Sequence, residues 1–129
     1  ALIAIEKEIS LSTYADRGAE IDAVLSKNLL VSLFYPHSPL HDGAVIIKGD
    51  TIVAAACLLP LPATHSLRNP FQTRTRHLAA IGLSAETDAA VIVVSEETGT
   101  VSLAIKGQLE RFDDKEAMEK RLLGYLRDR

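Results

Sequence analysis

At 129 residues the chain is long enough to bury a real core and too short for two ordinary domains. A hydrophobic content of 47% with 24% charged residues excludes an intrinsically disordered chain. Seventeen acidic against fourteen basic residues, a net charge of −3, argue against a general polyanion binder, so no nucleic-acid partner is expected.

The chain opens at Ala1, inside an apolar run and without a methionine, which reads as a fragment whose preceding segment could hold an anchor. No run approaches the roughly 18 apolar residues of a membrane span, and no signal peptide is visible. Leu2-Ile3-Ala4-Ile5 reads as a short strand ending in Glu6-Lys7-Glu8. After Arg17-Gly18, the spacing of Ile21, Val24, Leu25 and Leu29 predicts a helix, with Glu20 and Asp22 in its first turn, where the macrodipole favours acids. Residues 30–35 are apolar and partly β-branched; a strand or a helix tail both fit, and a strand is preferred.

Residues 44–48 and 51–59 flank Gly49-Asp50 as the arms of a β-hairpin, and their nearly continuous apolar character predicts a pair covered on both faces. Pro60 and Pro62 end it, and a polar loop containing His65, Arg68, Asn69 and Pro70 follows. Residues 73–83 have helical character, weakened at the end by Gly82. Residues 89–94 are six apolar residues in a row, the strongest strand in the chain; 100–106 return as a second hairpin arm, and Gly107 turns the chain again before Gln108-Leu109-Glu110-Arg111. Asp113 or Asp114 caps a final helix whose apolar stripe is Ala117, Met118, Leu122, Tyr125 and Leu126. Helices and strands in this order predict a single layered α/β domain over residues 1–129, with a mixed central β-sheet flanked by helices.

Three polar clusters interrupt these apolar elements. Pro39-Leu40-His41-Asp42-Gly43-Ala44 places a carboxylate and an imidazole at the entry to a buried strand. Alone it reads first as a turn, and second as a place where a hard cation and a close ligand could be held. Arg74-Thr75-Arg76-His77 opens a helix, where free N–H groups and Arg, Thr and His donors suit phosphate, although a solvated basic face has the same composition. Ser95-Glu96-Glu97-Thr98-Gly99 closes the strongest strand, either as an exposed hairpin turn or as the source of a second carboxylate beside Asp42. Cys57, mid-strand among alanines, reads as a small core residue.

Taken together, Pro39-Leu40-His41-Asp42-Gly43-Ala44, Thr75-Arg76-His77 with Ala79-Ala80-Ile81-Gly82, and Val94-Ser95-Glu96-Glu97-Thr98-Gly99 resemble the diadenylate cyclase domain. The opening Leu2-Ile3-Ala4-Ile5-Glu6-Lys7-Glu8 is most similar to its membrane-anchored subfamily. The resemblance implies condensation of two ATP into cyclic di-AMP and two pyrophosphates, across a face-to-face homodimer or higher oligomer, with manganese, magnesium or cobalt as the metal. It implies Asp42, Arg76 and His77 as catalytic residues, and Gly43, Ala44, Leu59, Thr75, Arg76, His77, Ser95 and Glu96 as nucleotide contacts. Asp42, His41 and Glu97 are implied as metal ligands. It further implies a place on the cytoplasmic face of a bacterial membrane, attached through a segment absent here, and a regulatory protein partner. Two positions depart from the family pattern: Arg74 replaces a glycine, and Leu78 replaces the second arginine of an Arg-His-Arg motif. Loss of that always-charged donor motivates an alternative, a cyclase-like module that holds nucleotide but turns it over poorly. Leu58 stands where many anchored members carry tyrosine.

Overall fold

The structure, a computed structural model, describes residues 1–59, 75–95 and 98–127. Seven strands form one mixed sheet: β1 (Leu2–Ile5), β2 (Ala19–Val24), β3 (Ala44–Lys48), β4 (Thr51–Cys57), β5 (Ala90–Val94), β6 (Val101–Ile105) and β7 (Gln108–Phe112). Their order across the sheet is β2-β4-β3-β1-β5-β6-β7. β1 runs parallel to β3, and every other neighbouring pair is antiparallel.

Strand alternation sorts the core into two faces. Leu2 and Ala4 of β1, Ala44 and Ile46 of β3, and Val91 and Val93 of β5 face one side. There they pack against Ala79, Ala80 and Leu83 of α3 (Thr75–Glu86), with Tyr14 and Ala15 of α1 (Ser12–Ala15) at the margin. The intervening residues face the other side. Ile3, Val45 and Ile47 meet Leu33, Leu29 and Phe34 of α2 (Lys27–Phe34), while Ala90, Ile92 and Leu103 meet Tyr125, Leu122 and Leu126 of α4 (Lys115–Arg127). Helices thus cover both faces, which is why β3 and β5 read as uninterrupted apolar runs.

The sequence expectations hold for β1, the β3–β4 hairpin, α3, β5, β6 and α4, with shifts of a few residues at their ends, and β7 continues the sheet beyond the turn at Gly107. α3 runs through Gly82 to Glu86. The cap of α4 is Asp114, whose Oδ1 accepts the Glu116 amide at 3.1 Å. Two expectations are overturned. Residues 19–24 are an edge strand and not a helix: exposure alternates along it, and a bulge between Glu20 and Ala23, with Asp22 at φ 49°, fits it to β4. Its helix-like spacing misleads because Val24 and Leu25 are exposed instead of facing a core. Of residues 30–35, preferred as a strand, 30–34 belong to α2 and Tyr35 is its C-cap; Ser26 starts the helix by accepting the Leu29 amide at 3.1 Å. The short helix α1 has no counterpart among the sequence expectations.

Candidate active site

On the α3 face of the sheet lies an open cavity of about 690 Å³. Its apolar lining comes from Leu2, Cys57, Leu58, Leu59, Ala79 and Val93, and its polar lining from Asp42, Thr75, Arg76, His77, Ser95, Thr98, Thr100 and Arg111. Such a volume falls within the range of about 300–1,000 Å³ typical of small-molecule sites.

Three local features build the polar wall. First, the segment entering β3 delivers Asp42, whose side chain is 81% exposed at the cavity. Gly43 follows at φ +86°, and a Cβ there would stand 2.8 Å from the carbonyl carbon of Ala56 and 2.8 Å from the Cys57 oxygen. The strand can therefore enter beside the β4 irregularity at Ala56 (φ 54°) only with glycine at this position. Second, Thr75, Arg76 and His77 form the first turn of α3, where the helix dipole and backbone N–H groups favour an anion. Third, the turn after β5 holds Ser95, Thr98 and Thr100. The Ser95 hydroxyl oxygen accepts the Thr98 amide at 3.4 Å, and the Thr98 hydroxyl donates to that of Thr100 at 2.8 Å.

Asp42 is the junction between the first two features. Its Oδ1 lies 4.0 Å from Nη2 of Arg76 and 3.4 Å from Nε2 of His41. With the carboxylate this exposed, the pair with Arg76 contributes about 0–1 kcal/mol to stability; its consequence is to aim a guanidinium across the cavity mouth. His41 is fixed by its other nitrogen, Nδ1, which donates to the carbonyl of Ser38 at 2.8 Å. That bond leaves Nε2 facing a carboxylate oxygen of Asp42, so that the two side chains would together meet a cation placed between them. Among the described residues no group of three His, Cys, Asp or Glu side chains converges for a metal. The Asp42 carboxylate fits a hard cation such as magnesium, which keeps waters and substrate phosphates as its other ligands, whereas the His41 imidazole is a softer donor that suits a transition metal.

Of the residues singled out in the sequence, Asp42, Gly43, Leu59, Thr75, Arg76, His77 and Ser95 line the one cavity. His41 stands behind Asp42, outside the lining. Ala44 is fully buried in the core beneath, packed with Leu2 and Cys57, and does not line the cavity. Glu96, Glu97, Arg74 and the polar loop with His65 lie outside the described residues. Leu78 is half-buried on α3 and is absent from the cavity wall, unlike its neighbours His77 and Ala79. Sequence reasoning missed Leu2, Val93, Thr98, Thr100 and Arg111 as lining residues. For Leu2 and Val93 the signal was there, since both sit on central strands at positions of one parity; for Arg111 there was none.

A carboxylate, a guanidinium, a helix N-terminus and hydroxyl donors around an apolar floor make an α/β domain with a site chemically suited to a phosphate-bearing ligand. Comparison with known proteins agrees. Residues 1–109 match the DAC family, described as DisA bacterial checkpoint controller nucleotide-binding, and the chain belongs to that family. It is 45% identical over 125 residues to the cyclic di-AMP synthase CdaA of Bacillus subtilis, covering 95% of this chain and 44% of that protein. It is also 45% identical over 126 residues to the diadenylate cyclase of Listeria monocytogenes serotype 1/2a, covering 98% and 45% respectively. The chain therefore spans under half the length of these relatives. A crystal structure of a double mutant of DacA from Staphylococcus aureus superposes with a TM-score of 0.87 at 42% identity, over 98% of this chain and 83% of that one. A Bacillus cereus structure described as a hypothetical membrane spanning protein gives a TM-score of 0.78 at 45% identity, over 88% and 55%.

Proposed function

We propose that this chain is a diadenylate cyclase that condenses two ATP into cyclic di-AMP with release of two pyrophosphates. The observation that carries the reading is the placement of an exposed carboxylate, Asp42, at the same cavity as Arg76, His77 and the Ser95 turn. The names of the relatives from B. subtilis and L. monocytogenes support it.

The apolar floor receives the adenine, with Leu59 at its rim, and the first turn of α3 receives the phosphates. Each 3′-oxygen forms a bond to the α-phosphorus of the other nucleotide, and the bond from that phosphorus to the β-phosphate bridging oxygen breaks, with pyrophosphate leaving. Asp42 accepts the hydroxyl proton as the bond forms. Arg76, held near Asp42 in the resting site, turns its fork to the phosphoryl oxygens as their charge redistributes. Asp42, with His41 beside it, would hold a divalent metal, which would supply charge neutralisation at the phosphates; Glu97, the third expected ligand, lies outside the described residues.

One cavity binds one nucleotide, whereas ring closure needs two hydroxyls and two α-phosphates. Two copies must face each other, each presenting its ATP to the other, which is the symmetric solution for a homodimer. The exposure of Asp42 fits this arrangement, because the hydroxyl it serves and the phosphorus attacked belong to different protomers. Placement at the cytoplasmic face of a membrane, where ATP is at hand, belongs to the same reading and is supported by the description of the B. cereus neighbour. Among the described residues no helix is long and apolar enough to cross a membrane.

The test is incubation with ATP and manganese followed by mass spectrometry of the products. Cyclic di-AMP from the wild type, reduced at least about a thousandfold in Asp42→Ala, is the expected result. Because Asp42 is exposed, that variant should keep its fold, with a stability change within about 0.5 kcal/mol. A fully folded wild type that binds ATP and yields no product at any protein concentration would overturn the cyclase reading.

A further inference from the structure

Arg111 lies on β7, beyond the residues matched by the family, and it lines the same cavity as Asp42 and Arg76. The sheet register explains how so distant a residue arrives there. Leu2 of β1 pairs with Val93 of β5, Val93 with Ser102 of β6, and Ser102 with Arg111 of β7. Residues directly opposite across neighbouring strands share a face, so this row runs along the α3 side of the sheet. Leu2 and Val93 are cavity floor, Ser102 is 2% exposed, and Arg111 ends the row as an exposed guanidinium. Its Cα stands three strand spacings, about 14 Å, from that of Leu2, and the long side chain reaches back toward the cavity.

The surroundings of Arg111 favour an anion. Its strand neighbour Glu110 is engaged by Arg121 at 3.7 Å, while Arg111 forms no ion pair among the described residues. Thr98 and Thr100 line the same cavity as Arg111, and both also border a second pocket with Asp113 and Asp114. Thr98 donates to Thr100 and also accepts the Thr100 amide at 3.3 Å. The Thr100 oxygen is therefore already an acceptor, and its own proton is left to donate outward. A guanidinium and a hydroxyl donor on the wall of one cavity suit phosphate oxygens. Arg76 sits on the α3 wall and Arg111 on the β7 side, so the cavity has a cationic group at each of two separate places.

We propose that Arg111 binds the terminal phosphates of the nucleoside triphosphate, so that β7 supplies a triphosphate-selective subsite to the cavity. The inference rests on the nucleotide-binding reading above and adds to it the group that distinguishes triphosphate from monophosphate. Arg111 holds the part of the substrate that departs as pyrophosphate, whereas Arg76 attends the reacting phosphoryl group.

The test is isothermal titration of ATP and of AMP, at fixed magnesium, into the wild type and Arg111→Gln, with thermal unfolding as a check on the fold. Without the charge-assisted hydrogen bonds of the guanidinium, ATP should bind about tenfold to a hundredfold more weakly, with AMP binding within about twofold of the wild type. Arg111→Lys should recover part of the ATP affinity, because it restores the charge without the fork. If ATP and AMP weaken equally, or neither weakens, in a variant that melts like the wild type, Arg111 is not the subsite and the cyclase reading stands. A wild type that binds neither nucleotide overturns both.

Discussion

Cys57 illustrates how little a residue's presence in a cavity says about its chemistry. It lines the floor, yet its accessible surface is zero and burial pushes its thiol up from 9.0 to about 11. Its Sγ lies 3.6 Å from the Ala55 carbonyl, so the thiol is a packed donor and no nucleophile. A raised folded pKa means that the unfolded thiol ionises first. Stability from this group is fully present below about pH 9 and is lost as pH rises toward about 11. Burial likewise raises the phenols of Tyr14 and Tyr125, which adds to the alkaline loss. The fall in Tm between pH 9 and 11 should therefore be shallower in Cys57→Ala than in the wild type, although not abolished. Equal slopes would show that the thiol ionises freely in the folded state. Leu78 gives the complementary lesson. Its departure from the family motif suggests a poorly active module, but the residue stands off the cavity wall, and nothing in the site favours that reading.

The elements divide cleanly into those that carry the site and those that support it. The β3 entry, the first turn of α3 and the turn after β5 hold the polar groups; α2 lies on the opposite face, against Val45, Ile47 and Ile52. Weakening α2 should cost stability and spare the cavity. Ser26→Ala removes its cap and should lower stability by about 1 kcal/mol, or about 4 °C in Tm, with ATP affinity unchanged. Ser26→Asp, which keeps the acceptor, should restore the loss; a change in nucleotide binding would contradict the division. Legibility in the sequence follows the same physics. The hairpin, β5 and the capped α4 are readable because their apolar runs, their turn and their cap agree with their burial. β2 is misleading because Val24 and Leu25 are apolar yet exposed at an edge, so periodicity there does not report a core. Of the site, the clusters around Asp42, Arg76 and Ser95 are visible as polar words at element ends. Arg111 is not, since its arrival depends on a register across four strands that no local pattern encodes.

At the scale of the molecule, the proposed reading gives each open cavity one nucleotide and so makes the reaction a property of pairs. The rate of cyclic di-AMP formation per protein molecule should rise with protein concentration until dimers dominate, and then level off. Measured at saturating ATP with sedimentation in parallel, a constant specific activity from a monomeric sample would exclude the face-to-face arrangement.

The central place of β1 has a temporal consequence. Ala1 and Val94 exchange two backbone bonds of 2.8 Å although 93 positions separate them. Closing a span of that length costs about 4 kcal/mol of chain entropy before any contact repays it, which marks a late step in folding. Until β5 docks beside β1, Leu2 has no Val93 next to it and α3 lacks half the surface on which it lies. The floor of the cavity and the last closure of the sheet are then the same event. A partly folded chain offers a ligand no half-made site, and any nucleotide that binds draws the equilibrium toward the finished sheet alone.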